Sequence, residues 1–190
     1  GNFPAGHEFA KVSASPTPKV SPIPWLLGTS QKSALLAAEN GLPYAFGQFM
    51  SEKDGKEIIQ QYLKAFKPRK QEHLPEVTVA ISTICAETDE RAEEVALSTL
   101  IWALQRQKGE GGKVPSIAEA KQYPQTDLEK ESLEKMKEKM IIGNPQKVCQ
   151  KLHELQAEFR ADEIMIVTIT HSPDDRIHSY KLIANEAHLL

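Results

Sequence analysis

The sequence predicts an α/β protein built on a parallel sheet, and three observations carry that expectation. Four apolar runs each lead into a segment whose apolar residues recur every three or four positions, the alternation that builds parallel sheets. Gly, Pro, Ser, Thr and Asn stand at the junctions, where helix ends and turns require them. One run, "EVTVAISTI" (76–84), is almost continuously apolar or β-branched, as suits a strand covered on both faces.

Taken in order, the elements are these. The first 24 residues hold five of the twelve prolines, Pro4, Pro16, Pro18, Pro22 and Pro24. Proline lacks an N–H and pushes its predecessor towards extended backbone, so 1–24 reads as a connecting arm, an internal loop without its upstream neighbour. The first unit is "IPWLL" (23–27) with a helix from about Ser30 to Asn40, stopped by Gly41 in the C′ position. The second is "LPYAFG" (42–47) and a helix carrying Ile58, Ile59, Tyr62, Leu63 and Phe66, with Pro68 just past its end. The third strand, 76–84, precedes a helix that starts near Thr88 and Asp89 and carries Ala92, Val95, Ala96, Thr99, Leu100 and Ala103.

An insertion at about 107–141 comes next. It opens with the Gly-rich stretch "QKGEGGKVPS", expected to be mobile, and continues as a charged helix from about Asp127 to Lys139 with Leu133, Met136 and Met140 on one side. In "GNPQKVCQKLHELQ", Asn144 is an N-cap and Pro145 the first helical residue; Val148, Leu152, Leu155 and Phe159 form the buried stripe. The fourth strand is "EIMIVTIT" (163–170), with a helix from about Asp174 carrying Ile177, Tyr180, Ile183 and Ala187. Four units fit a small open doubly wound sheet or half of a barrel of eight units; periodicity does not choose between them.

Composition narrows the class. Of 190 residues, 40% are hydrophobic and 26% charged, which describes a single soluble globular domain. A net charge of -3, with Lys and Arg interspersed among Glu and Asp, gives no basic stripe for nucleic acid. No apolar run reaches the roughly 18 residues of a membrane span. Cys85 and Cys149 are far apart in sequence and form no CxxC, so they read as buried thiols of a cytoplasmic protein.

In both architectures, function sits at the carboxyl ends of the strands. Gly28, Thr29 and Ser30 hold that place on the first strand, and the following helix aims its unpaired N–H groups at the same spot. Glycine permits close backbone approach, and Thr29, Ser30 and Ser33 add hydroxyls: the chemistry of a phosphate cradle. The plainer reading is that Ser30 only caps the helix. Phe46, Gly47 and Gln48 close the second strand, where an aromatic ring and an amide suit a pocket mouth; Phe46 reads equally as core and Gln48 as solvated. Cys85 reads as an inert thiol, "THSPDD" around His171 as a turn, and Asp175 and Arg176 as a solvated pair. The six histidines show no metal-ligand spacing.

The opening stretch "PIPWLLGTSQKSALLAAENGLPYAFG" (22–47) closely resembles the bacterial-luciferase-like monooxygenases, flavin-dependent (β/α)8 TIM barrels. Trp25 to Gly28 match the family's strand, Thr29 replaces its first serine and Ser30 keeps the second. Ser33-Ala34, Ala37-Ala38 and Gly41 to Phe46 continue the match. "AETDERAEEVA" (86–96), "IGNPQKVCQKL" (142–152) and "DEIMIVTITHSPDDRIHSYKLIA" (162–184) resemble later family segments in the right order. The resemblance implies that 25–190 is the carboxyl-terminal half of such a barrel, about four βα units plus the insertion. It further implies reduced FMN supplied by a flavin reductase, O2, and an aldehyde or other small organic substrate. Gly28, Thr29, Ser30, Ser33, Phe46 and Gln48 are the expected cofactor-binding residues. A flavin-binding fragment without turnover and a deazaflavin oxidoreductase are the alternatives. A half-barrel leaves two sheet edges and an apolar inner face open, so the chain is expected to belong to a longer one or to associate, as a homo-oligomer, with another copy.

Overall fold

The structure, a computed structural model, describes residues 3–188 except 14, 17 and 54. Among the described residues, five strands and seven helices follow the arm. They are β1 (Leu26–Gly28), α1 (Gln31–Glu39), β2 (Tyr44–Gly47), α2 (Gly55–Ala65), β3 (Val77–Cys85) and α3 (Asp89–Gln107). Then come α4 (Ile117–Gln122), α5 (Asp127–Glu138), β4 (Ile141–Gly143), α6 (Pro145–Phe159), β5 (Glu163–Val167) and α7 (Pro173–Glu186). A 3-10 turn, Gln48–Met50, ends β2.

All pairings are parallel, and four strands lie side by side as β1, β2, β3 and β5. Leu27, Ala45, Thr78 and Glu163 stand in one row across the sheet, and Phe46, Val79 and Ile164 in the next. The short β4 pairs with the last three residues of β3, Thr83–Cys85.

Side chains alternate between faces along a strand, so the two faces are read from parity. Tyr44, Phe46, Val77, Val79 and Ile81 point to the face covered by α1, α2, α6 and α7. Ala34, Ala37 and Ala38 let α1 lie close, and Ile58, Ile59 and Tyr62 are the inner stripe of α2. Val148, Cys149 and Ile183 bring α6 and α7 onto Ile81 and Cys85. Tyr62 places its hydroxyl between two chain crossings, donating to the carbonyls of Leu42 at 3.0 Å and Glu76 at 3.2 Å. Burial pushes that phenol up to about 12.

The helix ends follow the sequence. Ser30, Thr88 and Asn144 each accept a backbone N–H three residues on, as N-caps do. Gly41 closes α1 at φ +56°, and a Cβ there would lie 2.5 Å from the Lys67 carbonyl.

The helix after β3 starts where expected and packs on the other side of the sheet from α6. Ile84 lies on the opposite face of β3 from Ile81 and Cys85, and α3 packs on it through Val95 and Ala96. The helix that covers β3 on the common side is α6. The segment expected as an insertion supplies α4 and α5, whose Ala120 and Leu133 bury against Leu100, Ile101 and Leu104 of α3. Helices α3 to α5 thus form their own small layer. An apolar stripe says that a helix packs, not on which side of the sheet. Arg176 also departs from its expected partner, because Asp175 pairs with Arg91 of α3 at 3.0 Å.

Gly41→Ala should lower stability by about 1–2 kcal/mol from left-handed strain alone, and further from the clash with Lys67. Urea denaturation of the two proteins checks this; equal midpoints would show that the chain turns there without need of glycine.

Candidate functional site

At the carboxyl end of β1 the backbone turns sharply into α1. A Cβ on Gly28 would fall 2.1 Å from Ser33 Oγ and 3.3 Å from the Tyr44 hydroxyl, so the strand approaches the helix closer than any side chain permits. Ser30 and Ser33 form a reciprocal capping box: Ser30 Oγ accepts from the Ser33 N–H, and Ser33 Oγ accepts from the Ser30 N–H, both at 3.3 Å. Ser33 Oγ donates to the Ser30 carbonyl at 2.7 Å and stands 3.0 Å from Tyr44 Oη. The two serine hydroxyls are 3.2 Å apart. Burial raises the pKa of the Tyr44 phenol, with its hydrogen bond to Ser33 opposing, so it remains a neutral donor.

These hydrogen bonds divide the labour of the two serines. The Ser33 proton is committed to the Ser30 carbonyl, whereas the Ser30 proton has only Ser33 Oγ as an alternative and turns outward by one rotation. The N–H groups of Gln31 and Lys32, in the first turn, lack intrahelical acceptors by construction. Capping and ligand binding are therefore compatible here, through one free hydroxyl and two backbone donors.

The other expected residues are placed unequally. Thr29 is half-buried beside Gly47, whose added Cβ would lie 3.4 Å from Thr29 Cγ2. The Phe46 ring is fully buried in the core under α2, against the position of Gly55, so it is core and presents only backbone to the opposite face. Gln48 is not solvated either: its Oε1 is buried, without a hydrogen-bond partner among the described residues, 2.5 Å from where Gly55 would carry a Cβ. Tyr44 was missed by the sequence reading; the available signal was a tyrosine in a buried strand, whose hydroxyl needs a partner.

On the side of the sheet opposite the four covering helices lies a hollow of about 530 Å³. Its floor is small, Ala45, Gly47, Thr78 and Ala80, while Trp25, Leu27, Phe49, Met50 and Met165 form its rim. Leu27 is 75% exposed and Met165 52%, on the two outer strands.

A second cleft, about 430 Å³, lies between the end of β3 and α7. Four of its polar side chains pair across it: His178 Nε2 meets Glu87 Oε1 at 2.7 Å and Arg91 meets Asp175 at 3.0 Å, tying α7 to the start of α3, while Asp174 and Lys181 also line the cleft. The Cys85 thiol at its base is pushed up to about 12 by burial and is inert at neutral pH. His171 sits in the expected turn, with Nδ1 2.9 Å from the Val114 carbonyl. Among the described residues no group of His, Cys, Asp and Glu suits a metal ion, and no helix is long and apolar enough to cross a membrane.

The family model described as luciferase-like monooxygenase matches residues 1–162. The chain belongs to that family. It is 36% identical over 183 residues to the uncharacterized protein YceB of Bacillus subtilis, covering 96% of this chain and 55% of YceB. Among solved structures, that of apo-MsnO8 superposes with a TM-score of 0.83 at 30% identity, covering 94% of this chain and 55% of MsnO8. The oxygenating constituent of 3,6-diketocamphane monooxygenase from Pseudomonas putida, solved in complex with FMN, shares the fold. It superposes with a TM-score of 0.56 at 18% identity, over 85% of this chain and 47% of that one. This luciferase-like chain thus spans about half the length of the curated relatives it matches.

Gly28→Ala should break the capping box, because the added Cβ would meet both Ser33 Oγ at 2.1 Å and Ser33 Cβ at 2.5 Å, so that β1 and α1 must move apart. Loss of that cap is expected to lower stability by about 0.5–2 kcal/mol. Adding Ser33→Ala to Gly28→Ala should recover little of the loss, since the Cβ of residue 33, 2.5 Å from the added Cβ, remains; full recovery by the double variant would contradict the geometry.

Proposed function

We propose that this chain is the carboxyl-terminal half of a (β/α)8 barrel in an FMN-dependent monooxygenase, with the FMN phosphate at the start of α1. The observation that carries this reading is the junction of β1 and α1. It combines a glycine that admits close approach, the Ser30 hydroxyl and a helix N-terminus, beside an apolar hollow of about 530 Å³. Family membership and the shared fold support it.

The residues fit the group in a specific way. Gly28 would give access, Thr29 and Ser30 would donate hydrogen bonds, and the N–H groups of Gln31 and Lys32 at the positive end of the helix dipole would hold an anionic group. Ser33 holds Ser30 and is itself held by Tyr44. Phe46 contributes backbone alone, and the orphaned Gln48 amide oxygen is an acceptor beside the same strand end. Reduced FMN, when bound, supplies the electrons that let O2 deliver one oxygen atom to an aldehyde or other small organic substrate. The chain's part is to bind, orient and exclude water, which the apolar rim of the hollow favours. A flavin reductase supplies the reduced cofactor in this reading, and the setting is cytoplasmic.

Replacing Ser30 and Ser33 together by alanine should weaken FMN binding. A lost hydrogen bond to a charged group is worth about 1.5–3 kcal/mol, which is tenfold or more in Kd. Quenching of FMN fluorescence on titration reads this directly, with the melting temperature as a control for folding. Unchanged affinity with a lower melting temperature would leave the serines as caps only.

A further inference from the structure

The oxygens at the start of α1 share a limited set of protons and lone pairs. A carbonyl or hydroxyl oxygen accepts two hydrogen bonds, and a hydroxyl donates one. The Ser30 carbonyl is full, taking the Ala34 N–H at 3.1 Å and the Ser33 hydroxyl proton at 2.7 Å. With the Ser33 proton used there, the phenol is the donor in the 3.0 Å contact between Tyr44 Oη and Ser33 Oγ. Ser33 Oγ also accepts the Ser30 N–H at 3.3 Å. One lone pair of Ser33 remains, and two hydroxyls compete for it: Tyr44 at 3.0 Å and Ser30 at 3.2 Å.

The competition is unequal. Tyr44 is fully buried, and its other acceptor among the described residues is the filled Ser30 carbonyl at 3.5 Å. Yielding Ser33 would leave a buried phenol unpaired, which costs more than turning an accessible hydroxyl outward. Ser30 is half-buried and can point its proton at solvent or a ligand. We infer that Tyr44 is a positioning residue of the β1–α1 junction: by saturating Ser33 it denies the Ser30 proton an inward acceptor and holds that hydroxyl as an outward donor for an anionic group. The inference rests on the phosphate reading above and adds to it a residue that acts only through Ser33 and Ser30. Without the phenol, Ser30 turns inward onto Ser33 and shows the junction an oxygen lone pair, which disfavours an anion.

The test measures FMN and riboflavin binding by fluorescence quenching in the full 190-residue chain. Riboflavin carries the same ring system without the phosphate. Tyr44→Phe keeps the aromatic ring and its packing, and the melting temperature checks that each variant folds. Tyr44→Phe should weaken FMN binding by at least about threefold, and by no more than Ser30→Ala does, with riboflavin affinity unchanged. In a Ser30→Ala or a Ser33→Ala background, Tyr44→Phe should have no further effect on FMN, because the donor or the competing acceptor is gone. Equal losses for FMN and riboflavin would make the phenol a core group only and overturn the inference. Unchanged FMN affinity in Tyr44→Phe, or losses that add in either background, would also overturn it. A Ser30→Ala variant with native FMN affinity, or a native chain that binds FMN no better than riboflavin, would overturn the phosphate reading and the inference with it.

Discussion

The backbone ladder of β3 is the constraint on which the remaining structure depends. Thr78, Val79 and Ala80 are paired on one edge by β2 and on the other by β5, and β4 takes the strand's last three residues. Both ends of the strand are pinned by side chains from later in the sequence. The Asp162 carboxylate accepts the Val77 N–H at 2.8 Å, and Ser179 Oγ accepts the Cys85 N–H at 2.9 Å. Every height in the sheet is therefore measured from β3. Its pairing sets Phe46 of β2 opposite Val79, and β2 in turn sets Gly28 opposite Phe46. The close approach of Gly28 to α1 follows from that register.

β3 also separates two environments. Its Ile81 and Cys85 enter the layer of α6 and α7, whereas Ile84 supports α3 and, through it, α4 and α5. A strand with apolar residues at both parities is what makes this possible. Further towards its start, the opposite-face positions Thr78 and Ala80 are small and meet no helix. One strand thus carries a finished core on one face and, on the other, a finished upper part above an open lower one.

Much of this was legible in the residues. The caps at Ser30, Thr88 and Asn144, the stop at Gly41 and the double-sided burial of β3 follow from local chemistry, which acts within a few positions and leaves a mark in sequence. Three things were not. β4 is only three residues long, too short to show a period. The side on which α3 packs depends on tertiary competition with α6, and both helices carry adequate stripes. The sequence leaves Phe46 open between pocket mouth and core and Gln48 between pocket and solvent; the 3-10 turn that begins at Gln48 breaks the strand's alternation and brings both side chains beside Gly55. At the candidate site, the glycine and the hydroxyls were visible, but the commitment of Ser33 to the Ser30 carbonyl required coordinates.

Native-state hydrogen exchange tests the central position of β3 most directly. Amides that open only with the whole molecule report the global unfolding free energy, and amides of separable layers exchange sooner. The account predicts that the amides of Thr78 to Ile84 are the slowest in the chain, with those of α4 and α5 exchanging through a smaller, local opening. Exchange from β3 as fast as from α4 and α5 would contradict it, and would mean that the sheet is not the element on which the other layers depend.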